Sequence, residues 1–308
     1  MKVRIAAIQY QMESVSGWRE FEDQVRYILE AAAEYRPEFV LLPEIFTAQL
    51  LSFIGRRDVR DAVRRLDKYT PRYIALMQSI VREHGFHLIA GSHPTMRDDK
   101  LYNTAYFFTP DGEYQTQDKI HRTRWEKEKW DTTAGDTLSV FDTAYGKIAI
   151  LICYDIEFPE LARAVCEAGA EILFVPSCTD DRQGFWRVRY CCHARAIENQ
   201  VYVALTGTVG HLPVAGLGLN YGQAGIFTPS DFAFSRDGIA AEGVPNTEQI
   251  VIADVDLADL AESRLNGTTI PVLDRRRDVY ARPVIAVDAR GTAPNVKVEE
   301  LEVVAKSS

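Results

Sequence analysis

Three short segments of the chain each bring an apolar or strand-like run to a stop at a residue capable of chemistry. FVLLPEIFT ends its run at Glu44, TQDKIHR places Lys119 after a strand, and ILICYD stops at Cys153. Taken singly, each has an ordinary explanation. A free cysteine in a strand packs as a small hydrophobe, a glutamate after a strand is a loop residue or a helix N-terminal charge, and a lysine after a hairpin faces solvent. Taken together they fit one reaction. A thiol attacks a carbonyl carbon, a carboxylate takes its proton and later activates water, and a cation stabilises the oxyanion. A papain-like site would instead need a histidine beside the cysteine. None of the six histidines sits at an evident strand end paired with an amide side chain, so Glu44 is the better-placed base.

The elements that would position these residues alternate between strands and helices. VRIAAIQY reads as a strand, and Trp18 to Tyr35 carries apolar residues at helical spacing through Phe21, Val25, Ile28, Leu29 and Ala32. EFVLLPE is a short buried strand. Pro71 to His84 reads as a helix with Thr70 as its cap. FHLIAGSHP and LYNTAYFFTPDGEY follow as strands, the second with an Asp111-Gly112 turn. GKIAILIC is a strand, FPELARAVCEAG a helix ending in Gly169, AEILFVPS a strand, residues 184–199 a helix and QVYVALTG a strand. The later segments GQAGIFTP, DFAFSRDG and EQIVIADVDLADL complete the pattern. Several strands lack an intervening helix, so the reading is a mixed α/β sheet arrangement.

Composition bounds the function. The chain has 308 residues, 26% of them charged, and a net charge of −9 with no basic stripe, which disfavours nucleic acid and acidic membranes as partners. The apolar run at the N-terminus is too short for a signal-peptide core, and no window approaches a membrane span. Five cysteines without framework spacing suit a reducing compartment, so the expected location is cytoplasmic. No linker or repeat divides the sequence. The expectation is one domain over 1–292 and a polar tail, 293–308, that extends over the surface or onto a partner subunit.

LLPEIF, DKIH and CYDIEFPE, in that order, resemble the three catalytic signatures of the nitrilase superfamily of carbon–nitrogen hydrolases. The resemblance extends to RIAAIQ, FVPS, ARAIENQVYV and GIFTPSDFAFSRDG, so it covers nearly the whole chain. It implies a four-layer αββα sandwich in which Cys153 forms a thioester with the acyl group of an amide or nitrile. Glu44 would be the general base, and Lys119 would stabilise the tetrahedral intermediate with the backbone N–H of Tyr154. The family also carries a second active-site glutamate. Counting back from Gly135 in EKWDTTAG places it at Glu128, with Glu126 two residues away and Ala134 where the family pattern has proline. The resemblance further implies a homodimer or higher homo-oligomer, formed through the helices next to the nucleophile. No metal or organic cofactor is required, since side chains supply nucleophile, base and electrostatic stabilisation.

CYD at the nucleophile resembles the amidase-type branches, where nitrilases proper show CWE. The expected substrate is a small linear amide, with N-carbamoyl compounds and nitriles as alternatives on the same site. Glu157 stands where several relatives carry arginine, so it could meet a substrate amine, as in an ω-amino amide, or face solvent. Phe185 and Trp186 could form an aromatic pocket wall or pack in the core. Cys191-Cys192 lack the spacing of redox or zinc motifs, and GLGLNYGQAG reads as a rim loop without a dinucleotide fingerprint. Two other classes compete. A glycosidase with paired carboxylates would not need Cys153 or Lys119. A non-catalytic oligomeric binding protein on this fold would be expected to lack one of the three signature residues.

Overall fold

The computed structural model describes residues 1–54, 58–214 and 217–282. Two compact units divide the chain, residues 1–270 and 271–308. The described part of the second unit is 271–282, with one short helix, Arg277–Tyr280. The tail expected from 293 lies outside the described residues.

The first unit is built on two twisted sheets. One runs in the order Tyr114–Asp118, Lys100–Phe108, His87–Arg97, Phe39–Leu41, Lys2–Met12, Gln249–Asp256. The other runs Phe141–Thr143, Gly146–Ile150, Ile172–Ser177, Tyr202–His211, Gly225–Phe227, Ile239–Glu242. They join at one corner, where Tyr10–Met12 pair in parallel with Thr208–Gly210.

Side-chain alternation along Lys2–Met12 assigns the layers. Val3 and Ile5 belong to the core between the sheets, together with Phe39, Leu41, Ile89 and Phe107. Ala6, Ile8, Tyr10 and Met12 belong to a second core on the opposite face. Alternate residues of a strand face opposite ways, so one strand feeds both cores. Phe39 meets Phe174 of the second sheet with ring centroids 5.2 Å apart, which closes the inner layer. The outer face of the first sheet is covered by the helices Trp18–Ala33 and Thr70–His84. They bury Phe21, Val25, Ile28, Leu29 and Ala32, and Tyr73, Leu76, Met77, Ile80 and Val81, at helical spacing. The helices Pro159–Glu167 and Arg182–Asn199 bury Ala162, Val165, Phe185, Val188, Cys192 and Ala196, which join the second sheet in the same continuous cluster as the inner core. Helix, sheet, sheet and helix make the four αββα layers.

Small differences from the sequence reading have local causes. The helix expected from Pro71 begins at Thr70, and Thr70 Oγ1 donates to Asp67 in the preceding 3₁₀ turn rather than capping the helix. The helix expected from 184 begins at Arg182, because the Asp181 side chain accepts the Gly184 N–H as an N-cap. DFAFSRDG forms turns and bends. The strand lies just after it, at Ile239–Glu242.

Strand sense positions the site. Phe39–Leu41, Lys2–Met12, Tyr202–His211, Ile172–Ser177 and Gly146–Ile150 are linked by successive parallel pairings. Their C-terminal ends therefore emerge on one edge of the double sheet. Tyr114–Asp118 reaches Phe39–Leu41 through two antiparallel steps and one parallel step, so it runs in the same sense. Glu44, Lys119, Cys153 and Cys178 each follow one of these strands.

Candidate active site

Glu44 leaves the strand Phe39–Leu41 through Leu42-Pro43. The Leu42 N–H donates to the Ile89 carbonyl at 2.9 Å, and the Ile45 N–H donates to Ser92 Oγ at 3.0 Å, which fastens the turn to the neighbouring strand. Gly91 permits the approach. Its φ is +64°, and a Cβ there would lie 2.0 Å from the Pro43 carbonyl oxygen.

Lys119 is held by its backbone on both sides. Its N–H donates to the Asn103 carbonyl at 2.9 Å, and its carbonyl accepts from Gly135 N–H at 2.8 Å. The side chain is 3% exposed, and Nζ donates to Glu44 Oε1 at 2.7 Å and to Glu126 Oε2 at 2.9 Å. An ammonium has three donors, so one remains for a third acceptor.

Cys153 ends the run from Gly146–Ile150 and opens a single 3₁₀ turn, Cys153–Glu157. Its φ is +49°, a left-handed conformation that costs a non-glycine residue about 1–3 kcal/mol. That backbone presents the thiol on a sharp strand-to-helix bend. The thiol points to the Cys178 carbonyl, 3.9 Å away, and shares the cavity lining with Glu44. Tyr154 is the second residue of the turn, where backbone N–H groups lack intrahelical acceptors.

Asp155 locks the two turns together. This buried carboxylate accepts from Ile120 N–H at 3.2 Å, His121 N–H at 2.7 Å and His121 Nδ1 at 3.1 Å. His121 stacks on Phe158 at a centroid distance of 3.5 Å. The imidazole thus orients a loop, in line with its position two residues after the lysine.

The second glutamate of the cluster is Glu126. It is 4% exposed and binds Lys119, whereas Glu128 is half exposed and pairs with Arg124 at 2.6 Å. Placing the second glutamate at Glu128 is therefore corrected to Glu126. The reason is a capping box at T-R-W-E. Glu126 Oε2 accepts from the Thr123 N–H at 2.8 Å and from Thr123 Oγ1 at 2.9 Å, and Thr123 Oγ1 accepts from Glu126 N–H at 3.3 Å. The short π-wound turn Glu126–Trp130 then carries Glu128 outward.

The electrostatics follow from burial. Removal from water and the nearby Glu126 charge raise the Glu44 carboxyl above the ordinary range, with Lys119 opposing them. Burial raises Glu126 too, but Lys119, Asn103 and the Thr123 N–H outweigh it and hold that carboxyl low. Lys119 is pushed down by burial, yet Glu126 and Glu44 together keep it charged well beyond the usual lysine range. Burial, reinforced by Glu44, pushes the Cys153 thiol well up. Burial thus favours a neutral thiol at rest, and Glu44, in contact with Lys119, is placed to take its proton as the thiol attacks.

Cys153, Glu44, Lys119 and Glu126 open into a cavity of about 270 Å³. Ile45, Trp125, Trp130, Leu217 and Leu219 form its apolar walls, and Arg124, Asp180 and Arg187 carry charge into it. Phe185, Trp186 and Glu157, read in sequence as either pocket or non-pocket residues, are not among its lining. Phe185 is 3% exposed and packs in the core against Trp186 and Tyr221, and Trp186 stacks on Tyr190. Glu157 pairs with Arg187 at 3.6 Å, and of the two Arg187 lines the cavity. The aromatic wall comes from Trp125 and Trp130. Leu217 and Leu219 of GLGLNYGQAG line the cavity, while its first residue, Gly216, lies outside the described residues.

Comparison with known proteins agrees with this geometry. The sequence profile of the carbon–nitrogen hydrolase family matches residues 4–265. The chain is 50% identical to the probable hydrolase YhcX of Bacillus subtilis (strain 168) over 279 residues, which cover 90% of the chain and 54% of that protein. The match thus spans about half of that relative's length. It is 30% identical to omega-amidase NIT2-A of Xenopus laevis, over 82% of the chain and 88% of that protein. Among solved structures, Saccharomyces cerevisiae Nit3, a member of branch 10 of the nitrilase superfamily, aligns with a TM-score of 0.74 at 26% identity. That alignment covers 90% of this chain and 97% of Nit3. With the family profile spanning both sheets and every residue of the buried cluster, the chain belongs to the carbon–nitrogen hydrolase family of the nitrilase superfamily.

Proposed function

We propose that the protein is a cysteine-dependent amidase that releases ammonia from a small linear amide through a thioester intermediate. The observation that carries this reading is the buried contact of Glu44 and Lys119 beside Cys153 at the floor of an open cavity. Cys153 Sγ adds to the amide carbonyl carbon while its proton passes to Glu44. The carbonyl oxygen becomes an oxyanion stabilised by the free donor of Lys119 Nζ and the Tyr154 N–H. Collapse breaks the C–N bond, and the departing nitrogen takes the proton from Glu44 to leave as ammonia. Glu44 then accepts a proton from water, whose oxygen attacks the thioester carbonyl, and the carboxylic acid leaves with the thiol restored.

Glu126 holds Lys119 through a second hydrogen bond and takes no proton in this scheme. The relatives named omega-amidase support an amide over a nitrile. The apolar walls suit an alkyl chain, with Arg187 and Asp180 meeting its distal group. No helix among the described residues is long and apolar enough to cross a membrane. A cytoplasmic homo-oligomer completes the reading.

The test is ammonia release from primary amides, ω-amino amides, N-carbamoyl compounds and nitriles, with Cys153→Ala alongside. Release from one class, lost in the variant, is expected. Release that survives the substitution would refute the mechanism.

A further inference from the structure

Asn103, on the strand Lys100–Phe108, is 3% exposed and makes two hydrogen bonds from one atom. Its Nδ2 donates to Glu44 Oε1 at 2.8 Å and to Glu126 Oε1 at 3.0 Å. An amide nitrogen carries two hydrogens, so each carboxylate takes one. The Asn103 backbone carbonyl also accepts the Lys119 N–H. One residue therefore touches both glutamates and the peptide of the lysine between them. Among the described residues its side-chain oxygen is buried without a hydrogen-bond partner. An asparagine kept only to pack a strand would be expected to satisfy both ends, because an unpaired buried acceptor is costly. Here only the donor end is used, and all of it on carboxylates.

The charge balance explains the need. Glu44 is faced by Lys119, Glu126, Cys153 and Cys178. Two buried carboxylates share one ammonium, which leaves a surplus negative charge beside a thiol that must develop negative charge itself. A neutral double donor offsets that surplus without adding a second cation to compete for Glu44. It also fixes the rotation of the Glu44 carboxylate, whose other oxygen accepts the Cys178 N–H at 3.0 Å. We infer that Asn103 is a positioning residue for the reaction: its amide nitrogen hydrogen-bonds the Glu44 carboxylate and aims it at the Cys153 thiol.

The inference rests on Glu44 acting as the base in the proposed function, and its test separates the two. Asn103→Leu removes both donors at similar volume, and Asn103→Asp keeps the shape while replacing the donor with a third acid. The first readout is the pH dependence of iodoacetamide alkylation at Cys153, mapped by peptide mass spectrometry, which needs no substrate. The second is kcat and KM for the best amide, with circular dichroism to establish that the variants fold. A drop in kcat of about ten- to a hundredfold is expected, with KM changed by less than about twofold because Asn103 does not line the cavity. The acid limbs of alkylation and of kcat/KM should both move to higher pH. A Glu44 that has lost its donor keeps its proton to higher pH and then cannot accept one from the thiol. Should the leucine variant fail to fold, the isosteric aspartate carries the same comparison. Folded variants that keep the native midpoint in both profiles would overturn the role of Asn103. Native protein whose Cys153 alkylation has no acid limb would overturn the base assignment beneath it.

Discussion

At the residue scale, Glu126 and Glu128 show how two positions decide between a buried charge and a solvated one. Glu126 shares the Lys119 ammonium with Glu44, so converting it to glutamine leaves the lysine more tightly held by Glu44 and the base less available. Glu126→Gln should lower kcat at least about a hundredfold, whereas Glu128→Gln should leave it within about twofold, since an exposed i,i+4 pair contributes little. Steady-state kinetics on the two variants checks this, and equal effects would contradict the assignment. The three signature residues were legible because Glu44 and Cys153 each end an apolar run and Lys119 directly follows a strand. The second glutamate was misread because counting from Gly135 fixes distance along the chain but not which face of a turn points inward. The T-R-W-E capping box was the available signal, since it ties a glutamate back to the helix start at Thr123.

At the element scale, the site depends on turns held against neighbouring strands. The Pro43-Glu44 turn approaches the strand His87–Arg97 only because position 91 has no Cβ. Gly91→Ala should cost about 1–3 kcal/mol of stability through overpacking. It should also lower kcat by more than the stability loss explains, because relieving the clash moves the Glu44 turn. Urea denaturation alongside kinetics checks both, and a variant with native stability and turnover would contradict the account. Strand positions and their order could be read from periodicity. The cavity walls could not, because Trp125, Trp130 and Leu217 meet only through tertiary packing. Phe185 and Trp186 looked equally suitable in sequence, but the helix Arg182–Asn199 turns Phe185 into the core and packs Trp186 against it and Tyr190.

At the scale of the whole molecule, the shared sense of the strands is what makes a site from residues scattered along the chain. The αββα layering was accessible through family resemblance, since periodicity alone indicated only a mixed α/β arrangement. The same resemblance implies self-association. The helix Arg182–Asn199 leaves Tyr190 64% and Ile197 42% exposed, apolar surface on the element expected at the interface. Analytical ultracentrifugation should find a dimer or larger species, and Tyr190→Glu should shift it toward monomer. A native monomer at micromolar concentration would contradict that expectation.

The central claim is that acyl transfer passes through Cys153. Rapid quenching during turnover of a good amide, followed by proteolysis and mass spectrometry, tests it most directly. The account predicts a peptide containing Cys153 that is heavier by the acyl group and loses that mass on treatment with hydroxylamine. Sustained ammonia release with Cys153 unmodified at every quench time, and undiminished in Cys153→Ala, would contradict it.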